Sequence, residues 1–209
     1  MAVTRDEIVA AALAQLDEAG LDGLTLRRLA ERLGIRAPTL YWHVRDKREL
    51  MDLIASAVMD QALAGCREPR AGQDWWEWLA DRTRAIRVGL LSHRDGALVL
   101  AGNRPVGSSV PDIERQLAIL TEAGFRPQDA VLALLSLSAY AIGEALDTQR
   151  EAGRDAAPSD PAAFGAYPLL GAAIGALEPF GSSDQRFEYG LNLLITGLRA
   201  QHVRAALAE

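Results

Sequence analysis

Apolar residues recur along most of the chain at the three- and four-residue intervals of an amphipathic helix, and runs of β-branched residues are scarce. This pattern predicts an all-α protein without strands. The predicted helices cover residues 5–19, 26–33, 37–44, 46–64, 75–91, 111–123, 128–150, 169–177 and 183–207. Residues 94–110 are rich in glycine, and residues 151–168 are rich in alanine, aspartate, glycine and proline, so both segments are predicted to be irregular.

The ends of the first four helices are indicated by residues that satisfy free backbone groups. Thr4 and Asp46 each precede a helix and are followed three residues later by a glutamate, which is the spacing of a capping box. Gly20 and Gly34 follow the first and second helices, where glycine can end them. Pro38 stands in the first turn of the third helix, where proline is tolerated.

Residues 25–44 have the spacing of a helix-turn-helix, with a four-residue turn before a short second helix. Such a second helix lies in the major groove of DNA and presents its first side chains to the base edges. The alternative is that its aromatic residues form a small core. Three adjacent aromatic residues cannot all face inward, so Leu40 and Val44 are the better core candidates. The predicted DNA-binding residues are Thr25, Arg27, Arg28, Arg36, Ala37, Pro38, Thr39, Tyr41, Trp42, His43 and Lys47.

The charge distribution favours a nucleic-acid partner for this segment only. The chain carries a net charge of −6, but residues 25–48 contain seven basic side chains and two acidic ones. A basic patch on an acidic body is expected of a protein that touches phosphates with one end. A solvated helix face is the other reading of the same arginines.

Few residues suit catalysis or metal binding. The chain has three histidines and one cysteine, Cys66, which cannot form an internal disulfide and fits a reducing cytoplasm. Ser92, His93 and Asp95 are triad residue types, but neighbours on one backbone stretch cannot adopt the convergent geometry of a triad. No Cys/His cluster, P-loop or dinucleotide-binding motif is present. We therefore expect no enzyme, no cofactor and no metal site.

The hydrophobic share of 49% is enough for a sizeable core. No uninterrupted apolar run reaches about 18 residues, the length that a membrane span requires. The first residues lack the basic-then-apolar order of a secretory signal. We therefore expect a cytoplasmic protein that does not cross a membrane.

The segment 23–50 resembles the DNA-binding region of the TetR family of repressors. Its run Pro38-Thr39-Leu40-Tyr41-Trp42-His43-Val44 is similar to the tetracycline-repressor branch of that family, and the likeness continues at residues 92–97, 102–105, 114–117 and 122–125. The resemblance implies an all-helical homodimer with a helix-turn-helix domain at residues 1–48, a linking helix at 46–64, and a ligand-binding and dimerisation domain at 49–209. A ligand would then shift the linking helix and release a palindromic operator. The apolar last helix agrees, because such a face needs a partner surface.

The resemblance also implies a ligand pocket. Arg104, Pro105 and Gln116 are identical to pocket residues of the tetracycline-repressor branch, Asn103 replaces a threonine, and Asp147 stands where a glutamate completes a magnesium shell. Arg104 and Gln116 are either ligand contacts or structural residues that cap helices or pair with acids. Asp147 is either a polar group for a ligand, a partner of Arg82, or a surface residue.

Four positions depart from that branch. Leu100 replaces the histidine that binds magnesium, Leu63 and Arg82 replace a histidine and an asparagine that hold the drug, and Ile86 replaces a phenylalanine. A leucine cannot coordinate a hard cation, so we expect the magnesium–tetracycline site to be lost. The remaining lining is predicted to be apolar, which favours a hydrophobic effector, by analogy a polyketide-like one. The other predicted lining residues are Trp78, Ile113, Val131, Leu134, Leu135 and Leu169.

The helix-turn-helix segment departs from that branch as well. Ala37 replaces a base-reading glutamine, Leu26 a threonine and Arg36 an acidic residue. We therefore expect a related but distinct palindromic operator. Two alternatives stay open, a regulator gated by a protein partner and an activator that uses the same DNA contacts.

Overall fold

The computed structural model describes residues 3–101, 110–152, 166–177 and 182–206. Within these ranges the chain forms helices and no strand, which confirms the predicted all-α fold. The helices are α1 (Arg5–Gly23), α2 (Leu26–Arg32), α3 (Ala37–Tyr41), α4 (Lys47–Leu63), α5 (Trp75–Leu91), α6 (Gly96–Ala101), α7 (Val110–Glu122), α8 (Pro127–Glu151), α9 (Pro168–Leu177) and α10 (Ser183–Ala206).

The predicted helix starts are confirmed by their caps. The Thr4 hydroxyl accepts the Glu7 N–H at 3.2 Å, and the Glu7 carboxylate accepts the Thr4 N–H at 2.8 Å, so both halves of the capping box form. At the start of α4 the Asp46 carboxylate accepts the Glu49 N–H at 2.8 Å, but the Glu49 carboxylate accepts the Arg45 N–H, so the second predicted capping box is only half formed. These bonds satisfy amides that have no partner within the helix.

The predicted end of α1 at Gly20 is only partly right. Gly20 adopts φ 68°, which breaks the helix, but the chain resumes one further turn and ends at Gly23. The resumed turn is held from outside, because the Leu21 N–H donates to the Asp95 carboxylate at 2.8 Å. A positive φ favours glycine here, and a Cβ built on Gly20 would lie 2.8 Å from that carboxylate.

The prediction that residues 94–110 are irregular is wrong for residues 96–101, which form α6. Gly96 lies where the chain turns sharply after Asp95, whose φ is 57°, and begins the helix. The Gln149 side chain of α8 stabilises this turn. Its amide nitrogen donates to the carbonyls of Leu90 and His93 at 3.1 and 2.8 Å, and its oxygen accepts the amide of the first turn of α6 at 3.2 Å.

The helices that follow α4, which we call the body, are arranged around α8. This helix packs against α5, α6, α7 and α10. By length and composition, α8 is apolar enough to cross a membrane, with a mean hydropathy of 1.5 over 18 residues. It is the one such helix in the described part of the chain. Its contacts with four neighbours bury one row, at Ala130, Ala133, Leu137, Ala141 and Ala145, and 28% of the apolar window is buried within the chain.

The linking helix α4 connects the first three helices to the body. It contacts α1 on one side and α5 and α6 on the other. Its buried residues, among them Leu50, Ile54 and Val58, belong to one continuous apolar core that extends from α1 to α10. A shift of α4 is therefore transmitted to both ends, because close-packed interiors do not deform locally.

Gly89 allows α5 to approach α4 closely. A Cβ built on Gly89 would lie 2.5 Å from the Ala62 Cβ. We expect Gly89→Ala to force the helices apart and to lower the free energy of unfolding by about 1–3 kcal/mol, the usual cost of overpacking. Urea denaturation followed by circular dichroism measures this change.

The matched control is Gly65→Ala, because a Cβ at Gly65 would have no other atom within 4 Å. Its urea midpoint should equal that of the wild type within error. A Gly89→Ala midpoint equal to the wild type would contradict the close helix contact.

Candidate nucleic-acid interface and ligand cavity

The short helix α3 is anchored by two buried side chains and exposes the aromatic ones. Leu40 and Val44 are 1% and 0% exposed, as expected for the core candidates. Tyr41 is 51% exposed and Trp42 is 88% exposed, while His43 is half-buried. A ring that is almost entirely in solvent takes no part in the packing of the core, so Trp42 is available for contact with a partner.

The other predicted DNA-binding residues are also exposed, and the structure brings them to the region around α2, α3 and the start of α4. Four of them make side-chain bonds within the chain. Arg27 Nε donates to the Glu31 carboxylate at 3.0 Å, and the Arg28 guanidinium donates to the Gly23 carbonyl at 3.4 Å. The Thr25 hydroxyl accepts the Arg28 N–H at 3.3 Å and so caps α2, and Lys47 Nζ donates to the Leu21 carbonyl at 3.2 Å. These exposed residues are Thr25, Arg27, Arg28, Arg36, Ala37, Pro38, Thr39 and Lys47.

The reader, which we define as α1 to α3, docks on the α5–α6 turn through carboxylates. The Asp17 carboxylate of α1 accepts the Arg94 N–H at 3.1 Å and lies 3.0 Å from His93 Nδ1. In the reverse direction, the Asp95 carboxylate accepts the Leu21 N–H. Each segment thus supplies a charged acceptor for a backbone amide of the other, the stronger class of hydrogen bond.

A cavity of about 370 Å³ lies between α4, α5, α6, α7 and α8. Its walls are mainly apolar, as is usual for small-molecule sites. Seven residues predicted from the resemblance to bind ligand line it together with Leu135. These residues are Leu63, Arg82, Leu100, Ile113, Gln116, Val131 and Leu134.

One side of the cavity carries a charged network that the sequence did not suggest. Arg67 hydrogen-bonds Asp112 and Asp60, and Arg115 donates to the other Asp112 oxygen at 2.6 Å and lies 3.6 Å from Glu68. Burial alone would raise the pKa of Asp112, but the hydrogen bonds from the two arginines lower it below its ordinary value. Asp112 is therefore an anion whose acceptor positions are occupied by the protein.

Arg82 reaches the cavity from α5 and is only 5% exposed. Burial lowers the pKa of its guanidinium, since the charged form is poorly solvated there. Its guanidinium carbon lies 5.1 Å from the centre of the Trp78 ring. Burial also raises the pKa of the neighbouring Cys66 thiol, which therefore stays protonated and unreactive at neutral pH.

Four further residues predicted to bind ligand or line the pocket are described but do not line the cavity. Trp78 is fully buried, and its indole N–H donates to the Cys66 carbonyl at 3.0 Å, so it supports the wall from behind. Ile86 packs in the core at 4% exposure. Asp147 faces solvent on α8 and does not approach Arg82, and Leu169 is 86% exposed. Asn103, Arg104 and Pro105 lie outside the described residues.

The sequence reasoning missed eight lining residues. Those on α4 follow Leu63 backwards at helical spacing, through Met59 to Ser56, and those on α8 follow Val131 forwards to Ser138 and Ile142. Helical periodicity would have extended the predicted wall to both sets. The residues missed are Ser56, Met59, Asp60, Arg67, Asp112, Arg115, Ser138 and Ile142.

Two neighbouring helices expose apolar and small side chains on one stripe each, which we call the pairing face. On α8 the stripe includes Leu132 and Gly143, and on α10 it includes Tyr189, Leu193 and Gly197. Leu132, Tyr189 and Leu193 are 61%, 70% and 58% exposed. A Cβ built on either glycine would meet no other atom within 4 Å, so packing within the chain does not require these glycines.

No group of three or more His, Cys, Asp and Glu side chains that could hold a metal ion occurs among the described residues. The cavity wall instead offers guanidinium and amide groups. Leu100, at the position where the resemblance implies a metal-binding histidine, contributes only an apolar surface to the wall.

Comparison with known proteins agrees along nearly the whole chain. A family model described as bacterial regulatory proteins, tetR family, matches residues 8–54, and one described as tetracyclin repressor-like, C-terminal domain, matches residues 68–202. The chain is 42% identical over 194 residues to the class A tetracycline repressor protein from transposon 1721 of Escherichia coli, covering 91% of this chain and 88% of that protein.

Two solved structures show the same architecture. TetR-Q116A from Acinetobacter baumannii AYE in complex with minocycline has a TM-score of 0.80 and 33% identity, covering 96% of this chain and 95% of that chain. The Streptomyces coelicolor TetR family protein ActR in complex with (S)-DNPA has a TM-score of 0.76 and 32% identity, covering 96% and 99%. With both halves matched in order, the chain belongs to the tetR family of bacterial regulatory proteins.

Proposed function

We propose that the protein is a ligand-responsive transcriptional repressor that binds a palindromic operator as a homodimer. The observation that carries this proposal is the combination of an exposed recognition helix and an apolar cavity in one continuous core. The relatives whose structures contain minocycline and (S)-DNPA have the same fold and bind small organic molecules. A small hydrophobic effector, polyketide-like by that analogy, would occupy the cavity here.

The reader supports major-groove binding by its exposed side chains. Thr39 and the ring of Pro38 are free to meet base edges, and the Tyr41 hydroxyl can donate to a phosphate. Arg36 and Ala37 stand at the start of the helix, where the family contacts bases. Of the seven basic side chains of residues 25–48, three pair with glutamates, and the other four, Arg28, Arg36, Lys47 and Arg48, supply the attraction to phosphates.

The route from the cavity to the reader consists of two helices. Leu100 on α6 lines the cavity, and Asp95 immediately before α6 holds the reader through Leu21. Met59 and Leu63 on α4 also line the cavity, and α4 packs directly against α1. A ligand that displaces these side chains favours a different reader position, which lowers operator affinity by the difference between the two states.

The homodimer forms through the pairing face. Its exposed leucines and tyrosine give up solvent contact on association, and the unfilled glycine positions allow two helices to approach closely. A twofold dimer presents two readers, which matches the symmetry of a palindromic operator.

The protein acts as a regulator without catalytic activity, in the cytoplasm where bacterial DNA lies. The Ser92 hydroxyl donates to the Val88 carbonyl at 2.7 Å, His93 contacts Asp17, and Asp95 accepts an amide of α1. The three triad residue types are thus engaged in separate structural contacts, and family members are transcriptional regulators.

We expect Tyr41→Ala to weaken operator binding about tenfold or more, because a hydrogen bond to a charged phosphate typically contributes about 1.5–3 kcal/mol. The operator is first selected with the wild type from a random DNA library. Fluorescence anisotropy with that DNA then gives the affinity. Tyr167→Ala, which removes a tyrosine of similar exposure from the body, should leave affinity unchanged. Equal affinities for Tyr41→Ala and wild type would contradict the assigned recognition surface.

Leu193→Arg places a charge in the pairing face, and we expect it to convert the dimer to monomers because an unpaired charge cannot be buried without a large cost. Sedimentation equilibrium measures the mass, and circular dichroism should show unchanged helix content. Ala10→Arg introduces the same charge on an exposed position of α1 and should remain dimeric. A dimeric Leu193→Arg protein would mean that the subunits meet elsewhere.

A further inference from the structure

Arg82 is a buried cation that the described part of the chain leaves without an ionic partner. No carboxylate among the described residues lies within 4 Å of its guanidinium. Its hydrogen bond to the Cys66 carbonyl is long, at 3.5 Å, and its other neighbour is the Trp78 ring. An ionised group removed from water is costly unless it is paired, so this position is incomplete in the empty cavity.

The acidic residues nearby are already occupied. Asp60 and Asp112 bind Arg67, and Asp112 and Glu68 bind Arg115. Among the described residues, Arg67 and Arg115 thus have three carboxylate partners between them, and none of these carboxylates pairs directly with Arg82. The charges of this region balance, but Arg82 is the one arginine of the network whose guanidinium has no direct carboxylate contact.

A second buried arginine on the same helix has a carboxylate partner within the chain and serves as a comparison. Arg87 is also 5% exposed, but it donates to the Asp184 carboxylate at 2.6 Å and to the Ser183 hydroxyl at 3.0 Å. Its guanidinium also lies over the Phe187 ring at 4.7 Å. Arg82 has the equivalent aromatic neighbour but opens into the cavity where Arg87 has its carboxylate.

We propose that the effector is an apolar molecule with one acidic oxygen group, a carboxylate or an ionised phenol or enol, which binds the Arg82 guanidinium. The apolar body of the molecule lies against Leu63, Leu100, Ile113 and Val131, and Gln116 offers a neutral polar contact. A guanidinium presents two parallel donors, which match the two oxygens of a carboxylate or a vicinal enolate pair. This inference rests on the proposed function of the cavity and adds the charge class of its ligand.

The test compares two probes of equal shape, 2-anthracenecarboxylate and 2-anthracenecarboxamide. At about pH 7.5 the acid is fully ionised and the amide is neutral. Isothermal titration of the full-length wild type should show the acid binding at least about tenfold more tightly, equivalent to about 1.4 kcal/mol. In Arg82→Gln that preference should fall to about twofold or less with the amide affinity unchanged, and Arg82→Lys should retain part of it.

Leu134→Trp, which fills the cavity, should abolish binding of the acid. The inference is overturned if the wild type binds both probes equally, if the preference survives in Arg82→Gln, if the acid still binds Leu134→Trp, or if neither probe binds. Operator binding by the wild type is measured in parallel. If the wild type binds both probes equally but still binds its selected operator, only the anionic effector is rejected. If the wild type selects no operator from the DNA library, the proposed function is rejected.

Discussion

The turn between α5 and α6 is the contact on which the relation between reader and body depends. From the body side, the Gln149 amide occupies the Leu90 and His93 carbonyls at the end of α5. From the reader side, Asp17 accepts the Arg94 N–H. Side chains of α1 and α8 thus provide hydrogen-bond partners for the backbone of residues 90–94. Without them these polar groups would lack partners within the chain. The reader can move only if this shared set of bonds is rearranged.

This arrangement explains why a small displacement in the cavity has a distant effect. Leu100 in the cavity wall lies in the last turn of the short helix α6, and Asp95, which contacts the reader, directly precedes its first residue. Lys47 at the start of α4 donates to the Leu21 carbonyl, and Asp95 just before α6 accepts the Leu21 N–H, so the N-terminal ends of α4 and α6 both contact the turn that follows Gly20. A ligand that pushes either helix therefore acts on one common point, and a tightly packed core converts the push into a discrete shift.

The sequence predicted what depends on local chemistry and missed what depends on distant partners. The caps at Thr4 and Asp46 need only a residue three positions on, so they were predictable. The extra turn after Gly20 exists because Asp95, 74 residues away, accepts its amide. The helix α6 was missed because its stabilising partner, Gln149, lies on α8. Leu63 and Val131 came from the family resemblance, whereas the network around Asp112 required a contact with Arg67 that no spacing rule supplies.

At two cavity positions the chain departs from what the resemblance implies. Where the resemblance implies a histidine able to hold a cation, Leu100 has no lone pair to donate. Where it implies an uncharged asparagine, Arg82 brings a permanent charge on the protein itself. A metal ion and a guanidinium attract the same kind of ligand atom, an acidic oxygen, but a guanidinium needs no second component to be present in the cell. Arg87 has its own carboxylate, so a buried arginine of this fold can be paired within the chain, whereas Arg82 has no carboxylate partner among the described residues.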